Sequence, residues 1–354
     1  MKSTMHPKLV SLLIKEFELC GIGKDDLVAV LCDGGSPLDY ADASADALDQ
    51  MGARVFQVIV TTKPKGKLDI DYGLATGIES MEKMAPLVES LKSVTMVVDL
   101  TTANQGGLIH DPARPVILSG GARILHLSVE PPDSLERCFP TQERRMRCER
   151  AVAMLEKTRQ MKVKSKAGTD LSVNLTKGKV NRLIGYVDVP GRLDAFLGGF
   201  VTVYPAPGSV NGVLVLDEGD INLTFKKYLH GRVRFTLEDD YIVKIEGGMD
   251  SELIRSYIES WGGKEAYGTS HVGFGLNEKA RWESLSLYER DSTEGQEARA
   301  FYGNFMFSIG PNLIAGRPTP SHFDLPMKNC SVLLDGHPVI EDGKVTEQQL
   351  RVYS

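Results

Sequence analysis

Two short segments near the C-terminal end carry residues that could do chemistry. They read Ser270-His271-Val272-Gly273-Phe274-Gly275 and Ser321-His322-Phe323-Asp324-Leu325-Pro326. Together they offer two imidazoles and one carboxylate. That is the ligand inventory of a non-haem Fe(II) site that keeps open positions for substrate and oxygen. In an extended strand, residues two apart point to the same side, so His322 and Asp324 can grip one ion from one face. His271 would complete the set from a separate segment. A His-x-Asp pair is common, and the same residues also read as ordinary polar groups with no ion between them.

The elements that must position these groups fall into two textures. In the first half, helices alternate with short apolar runs. Leu9 to Cys20, Tyr40 to Met51 and Glu82 to Leu91 have helical spacing, while Leu27 to Cys32, Arg54 to Val60, Thr95 to Leu100 and Arg123 to Ser128 read as strands. This rhythm predicts crossover units and a mostly parallel sheet. The turn Cys32-Asp33-Gly34-Gly35-Ser36 lacks both the dinucleotide fingerprint and the phosphate-loop lysine, so it reads as a tight strand-to-helix connection. Thr141 to Gln160 reads as one charged helix. Beyond it come short β-rich runs at Met161–Lys166, Leu171–Leu175, Val201–Tyr204, Val213–Leu216 and Arg232–Leu237, divided by Gly, Pro, Asn and Asp turns. A helix is expected at Ser251–Trp261. The fold expected is therefore α/β: a mostly parallel α/β domain at 1–160, then an α+β metal-binding domain at 161–354.

Composition narrows the function classes. The 354 residues are 42% hydrophobic and 25% charged, as in water-soluble globular proteins. A net charge of −6 argues against a general nucleic-acid binder. Arg144, Arg145, Arg147 and Arg150 stand beside Glu143 and Glu149, a run that reads as a solvated helix face. No apolar stretch is long enough to span a bilayer, and Lys15, Glu16 and Glu18 interrupt any signal-peptide core. Cys20, Cys32, Cys138, Cys148 and Cys330 show no Cys-x-x-Cys spacing, which fits reduced thiols in a cytoplasmic protein. His126, in an apolar strand, reads as a hydrogen-bonded core histidine. His230 and His337 read as exposed, and His6 lies near a terminus.

Several ordered segments carry a family resemblance. They are Val129-Glu130-Pro131-Pro132, Ser165-Lys166-Ala167-Gly168, Val215-Leu216-Asp217, Ser270-His271 with Gly273 and Gly275, Ala300-Phe301-Tyr302-Gly303-Asn304-Phe305, and His322 with Asp324, Pro326, Asn329 and Cys330. In these the chain resembles the 2,5-dihydroxypyridine 5,6-dioxygenases, Fe(II) ring-cleaving enzymes of nicotinate degradation, whose fold is similar to that of bacterial metallo-aminopeptidases. The resemblance places iron ligands on His271, His322 and Asp324. It also implies a catalytic base at His110, in Leu108-Ile109-His110, since a neutral imidazole is suited to take a hydroxyl proton near neutral pH. Without the resemblance, His110 beside Asp111 reads as a surface residue. Glu130, Ser270, Tyr302 and Asn304 are the implied substrate-binding residues, although Tyr302 and Asn304 also read as groups that satisfy the backbone. The implied partners are a small aromatic substrate and O2, with no nucleic acid and no membrane, in a homo-oligomer. The site is expected in a cleft between the domains.

Two alternatives stay open. A metallo-aminopeptidase-like hydrolase would bridge two ions and needs several carboxylates close together. The chain has no Glu in Tyr267-Gly268-Thr269-Ser270, and Gly310-Pro311-Asn312 stands where a further histidine ligand is expected. A non-catalytic small-ligand-binding protein would have no need of an open metal triad. One departure from the dioxygenase pattern bears on the substrate: after Pro190-Gly191-Arg192 comes Leu193-Asp194-Ala195-Phe196-Leu197, with Leu193 and Ala195 in place of a Trp- and His-bearing segment. The ring is therefore expected to be 2,5-dihydroxypyridine or a close analogue.

Overall fold

Leu27–Asp33 is apolar along almost its whole length, and a strand buried on both faces needs such a run. In the computed structural model, which describes residues 6–61, 81–102, 107–109, 111–319 and 321–352, it lies inside a five-stranded parallel sheet. The order is Arg54–Val60, Leu27–Asp33, Met96–Asp99, Arg123–Leu127 and Leu193–Phe196. Helices His6–Leu19, Leu38–Gln50, Ala85–Lys92 and Arg114–Ser119 belong to this half. The last strand comes from beyond residue 160. It pairs in parallel with Arg123–Leu127, so the chain returns from its second half to finish the first sheet. The main apolar core also runs across this point, from Leu9 to Leu350.

The rest is largely antiparallel. An eight-stranded sheet runs Tyr241–Gly247, Val233–Glu238, Val210–Leu216, Asp170–Asn174, Gln160–Ser165, Cys330–Leu334, His337–Glu341 and Lys344–Val345. Its strands alternate: in Gln160–Ser165 only Met161 and Val163 are buried, the pattern of a sheet with one solvated face. A five-stranded sheet runs Phe323–Met327, Phe305–Ile309, Thr269–Gly275, Phe200–Tyr204 and Lys179–Leu183. Its first three strands are buried throughout, and they carry the candidate ligands.

Helix Gln142–Lys157 starts at Thr141, whose side chain accepts the Arg144 N–H. The reading of its arginines as a solvated face is corrected. Arg144 and Arg147 are 1% and 4% exposed. Both pair with Glu278, at 3.0 and 2.7 Å. A buried guanidinium needs such a partner, and this one lies far away in sequence. His126 is a buried, hydrogen-bonded core histidine, while His230 and His337 are exposed. The five cysteines are buried and unpaired. Among the described residues, no helix is long and apolar enough to cross a membrane.

Candidate metal centre

The candidate ligands come from two strands that flank Phe305–Ile309, His322 lying one residue before the second of them. Thr269–Gly275 pairs with it on one side and Phe323–Met327 on the other. The first pairing loses register between Thr269 and Val272, so Ser270 and His271 sit in a bulge. Such irregularities re-aim side chains and recur beside active sites. Gly273 and Gly275 now have a physical reason. A Cβ at Gly273 would strike the Val201 carbonyl, and one at Gly275 the Phe301 and Ala300 carbonyls. Only glycine lets the neighbouring backbone segments approach the strand of His271 so closely. At the start of the other strand, the carbonyl of His322, just before it, accepts from Thr224 Oγ1 at 3.2 Å, and the Asp324 carbonyl accepts from Leu223 N–H at 3.0 Å.

This framework brings His271, His322 and Asp324 together. One ligand atom from each lies within 4.8 Å of the others, and all three residues are buried. Asp324 Oδ1 is 3.3 Å from His322 Nε2 and 3.8 Å from His271 Nε2. Ligand atoms about 2.1 Å from a shared ion and at right angles would be roughly 3.0 Å apart, so a small contraction would complete a metal site. Asp324 Oδ2 accepts from Arg299 Nε at 2.7 Å.

Electrostatics favours the ligand-competent forms. Burial above all, against the pull of Asp324 and with help from His322 and Arg299, lowers the His271 imidazole to about 4. It is therefore neutral at physiological pH. Burial alone would raise the Asp324 carboxyl, but His322, Arg299 and His271 hold it well below the usual carboxylate range. A neutral imidazole and a carboxylate are what a divalent cation requires. The fit shows in unmet polar groups too. Among the described residues, buried His271 Nδ1 and Ser308 Oγ find no hydrogen-bond partner. Ser308 stands directly opposite Asp324 in the sheet. Nitrogen and oxygen donors of this kind suit iron, and also zinc and other first-row ions.

The other expected site residues lie in different surroundings. His110 falls outside the described residues. Ser270 Oγ donates to the Pro311 carbonyl at 2.6 Å. Tyr302 OH donates to the Leu350 carbonyl at 2.9 Å. Asn304 Nδ2 donates to the Ala298 and Arg299 carbonyls, and its Oδ1 accepts from Gly275 N–H at 2.6 Å. Glu130 accepts from Thr293 Oγ1 at 2.6 Å and Gln296 N–H at 2.7 Å. Each of these four bonds within the protein frame. Of the altered segment, Ala195, Phe196 and Leu197 are fully buried, and Leu193 is half-buried.

Several neighbours of the triad gave little signal in the sequence. Arg299 fixes Asp324, yet its one cue is a charge amid small residues in Gln296–Ala300. The Tyr204 ring meets His271 edge-on, with centroids 5.2 Å apart. Its hydroxyl is raised by burial and by Asp324, and lowered by Arg114 of the N-terminal half. Arg114 in turn donates to the Ile109 carbonyl, beside the segment of the expected base. Both halves of the chain thus meet near the triad.

Comparisons with known proteins point one way. The family model described as 2,5-dihydroxypyridine 5,6-dioxygenase matches residues 8–347. The 2,5-dihydroxypyridine 5,6-dioxygenase of Pseudomonas putida is 35% identical over 343 residues, 96% of each chain. A solved structure of 2,5-dihydroxypyridine dioxygenase from Pseudomonas putida superposes with a TM-score of 0.91 at 33% identity, covering 99% of this chain and all of the other. Wild-type AmpT from Thermus thermophilus superposes with a TM-score of 0.65 at 12% identity over 97% of this chain and all of its own, which shows a shared fold. With a match along nearly its whole length, the chain belongs to the 2,5-dihydroxypyridine 5,6-dioxygenase family.

Proposed function

We propose that this protein is an Fe(II)-dependent, extradiol-type dioxygenase that opens a hydroxylated pyridine ring, 2,5-dihydroxypyridine or a close analogue, with O2. The observation that carries the reading is the convergence of His271, His322 and Asp324 in a member of this family. Iron held there would supply the redox chemistry that couples dioxygen to an aromatic ring, a chemistry zinc lacks.

The chain's own groups have distinct tasks. His271 and His322 offer imidazole nitrogens, and Asp324 offers the one negative charge. Arg299 holds Oδ2 of Asp324, which leaves Oδ1 turned to the imidazoles. Tyr204 packs on the His271 ring and limits its rotation. Burial of all three ligands keeps bulk water from the site. His110 takes a proton from the ring hydroxyl, which makes the ring electron-rich.

The test is anaerobic loading with Fe(II), then oxygen uptake with a panel of di- and trihydroxypyridines. The iron form should consume oxygen and the zinc form should not. Ring cleavage by the zinc form, or efficient hydrolysis of amino-acid amides by either form, would overturn the reading. His110→Ala should keep its metal and lose roughly 100- to 10,000-fold in turnover, the usual share of general acid–base catalysis. Normal turnover in that variant would remove His110 from the mechanism. Fast, saturable turnover of 2,5-dihydroxypyridine would show that Leu193–Leu197 does not retune the substrate.

A further inference from the structure

The ends of the parallel strands hold a buried polar row that the proposed reaction does not use. His126 is fully buried. Its Nδ1 is 3.1 Å from Asp99 Oδ2 on the neighbouring strand. Its Nε2 is 3.3 Å from Glu294 Oε2 in the C-terminal half. Asp99 Oδ2 also accepts the Leu108 N–H at 2.8 Å. Leu108 is the middle residue of the turn Gly107–Ile109. At Gly107 φ is +51°, and Thr101 and Asp99 occupy the space a side chain would need. That turn is therefore seated on Asp99. Beyond Glu294, its carbonyl accepts from Arg299 Nη1 at 3.1 Å, and Arg299 Nε reaches Asp324. The row runs unbroken from Leu108 through Asp99, His126, Glu294 and Arg299 to Asp324.

We propose that His126 is a positioning residue: clamped between Asp99 and Glu294, it fixes the turn Gly107–Ile109 relative to Arg299 and Asp324. Only the imidazolium form donates at both ring nitrogens. The surroundings favour that form. Burial lowers the imidazole, but hydrogen bonds and charge from Asp99 and Glu294 outweigh it and push it up to about 10. Each carboxylate then has its own donor. The inference relies on the proposed function only for what is being positioned.

The role is separable from folding, because the segment around Glu294 is docked independently. Thr293 and Gln296 bind Glu130, and Glu297 pairs with Arg137 at 2.8 Å. Cutting the row at His126 or Glu294 leaves those contacts in place.

The test uses the full chain with two variants, Glu294→Ala and His126→Asn. The first readout is amide hydrogen exchange. Loss of a buried partner's support should speed exchange at Leu108 about 10-fold or more in both variants. Exchange across the strand Leu27–Asp33 should rise less than at Leu108. For Glu294→Ala the change would appear in the opposite half of the molecule from the substitution. Unchanged exchange at Leu108 in Glu294→Ala overturns the proposal, and so does an equal rise across Leu27–Asp33, which means general loss of fold. The second readout is turnover per bound iron, which should fall on the order of 100-fold in His126→Asn, with KM within about 3-fold, as for ångström-scale misplacement. Turnover per bound iron within about 2-fold of the parent also overturns it. An iron-loaded parent that cleaves no ring removes the functional reading, and hydrogen exchange then decides the positioning role by itself.

Discussion

At the scale of single residues, Asp324 has its two oxygens assigned to different partners. Oδ2 is held by Arg299 at 2.7 Å, and Oδ1 faces His322 and His271. Asp324→Asn keeps the shape and removes the charge, so it should abolish stoichiometric iron binding and leave Arg299 buried without its counter-ion. Breaking a buried pair in this way costs about 3–5 kcal/mol. Iron per chain after gel filtration, together with urea denaturation of the metal-free form, measures both effects, and His271→Ala should lose the metal too. Full iron content in either variant would end the shared-site reading. Asn304 makes the opposite case. It lies in a segment of the family resemblance, yet every bond it makes here is to backbone. Asn304→Ala should therefore lower stability by about 1–3 kcal/mol, as three buried backbone groups lose a partner. The KM of the folded enzyme should not change; a large rise in KM with stability intact would put Asn304 back among the substrate contacts.

At the scale of elements, the triad depends on three neighbouring strands holding a fixed spacing. Gly273 sets how closely the next strand, Phe200–Tyr204, backs the strand of His271, since a Cβ there would strike the Val201 carbonyl and the Thr202 backbone. Gly273→Ala should cost about 3 kcal/mol or more, because backbone cannot give way as a side chain can. A urea midpoint close to the parent's would mean that the strand relaxes. The strands themselves were legible in sequence. Leu27–Asp33 and Arg54–Val60 follow from apolar runs between turn signals; the His322-x-Asp324 spacing did bring the two side chains together, with Asp324 on the strand and His322 one residue before it. The bulge at Ser270 and His271 was not, because it arises from a register mismatch with Phe305–Ile309 more than thirty residues away. Nor was the return of Leu193–Phe196 to the first sheet. A short strand carries no mark of which sheet it will join. The glycines after His271 were visible as a motif, while their reason is a close approach of distant segments that local pattern does not encode.

At the scale of the whole molecule, buried ion networks join the two halves of the chain and set opposite limits on stability with pH. Arg144 and Arg147 read as a solvated face because their partner, Glu278, is more than 130 residues away; packing, not periodicity, buried them. Burial alone would raise Glu278, but hydrogen bonds and charge from Arg144 and Arg147 prevail and hold it at about 2. Its unfolded value is about 4.3, so its contribution is fully present above that pH and is lost as pH falls toward 2. His126 works in the other sense. Its folded value of about 10 lies above the unfolded value of about 6.5, so its contribution is complete below pH 6.5 and is lost as pH rises toward 10. The metal-free protein should thus lose stability at both ends of the scale, and two substitutions should separate the causes. Glu278→Gln should flatten the acid limb between about pH 4 and pH 2 and leave the alkaline limb as it was. His126→Asn should flatten the limb between about pH 6.5 and pH 10 and leave the acid limb as it was. Urea midpoints measured at intervals across both ranges would test this. An alkaline limb unchanged in His126→Asn would mean that Asp99 and Glu294 do not hold a charged imidazole between them.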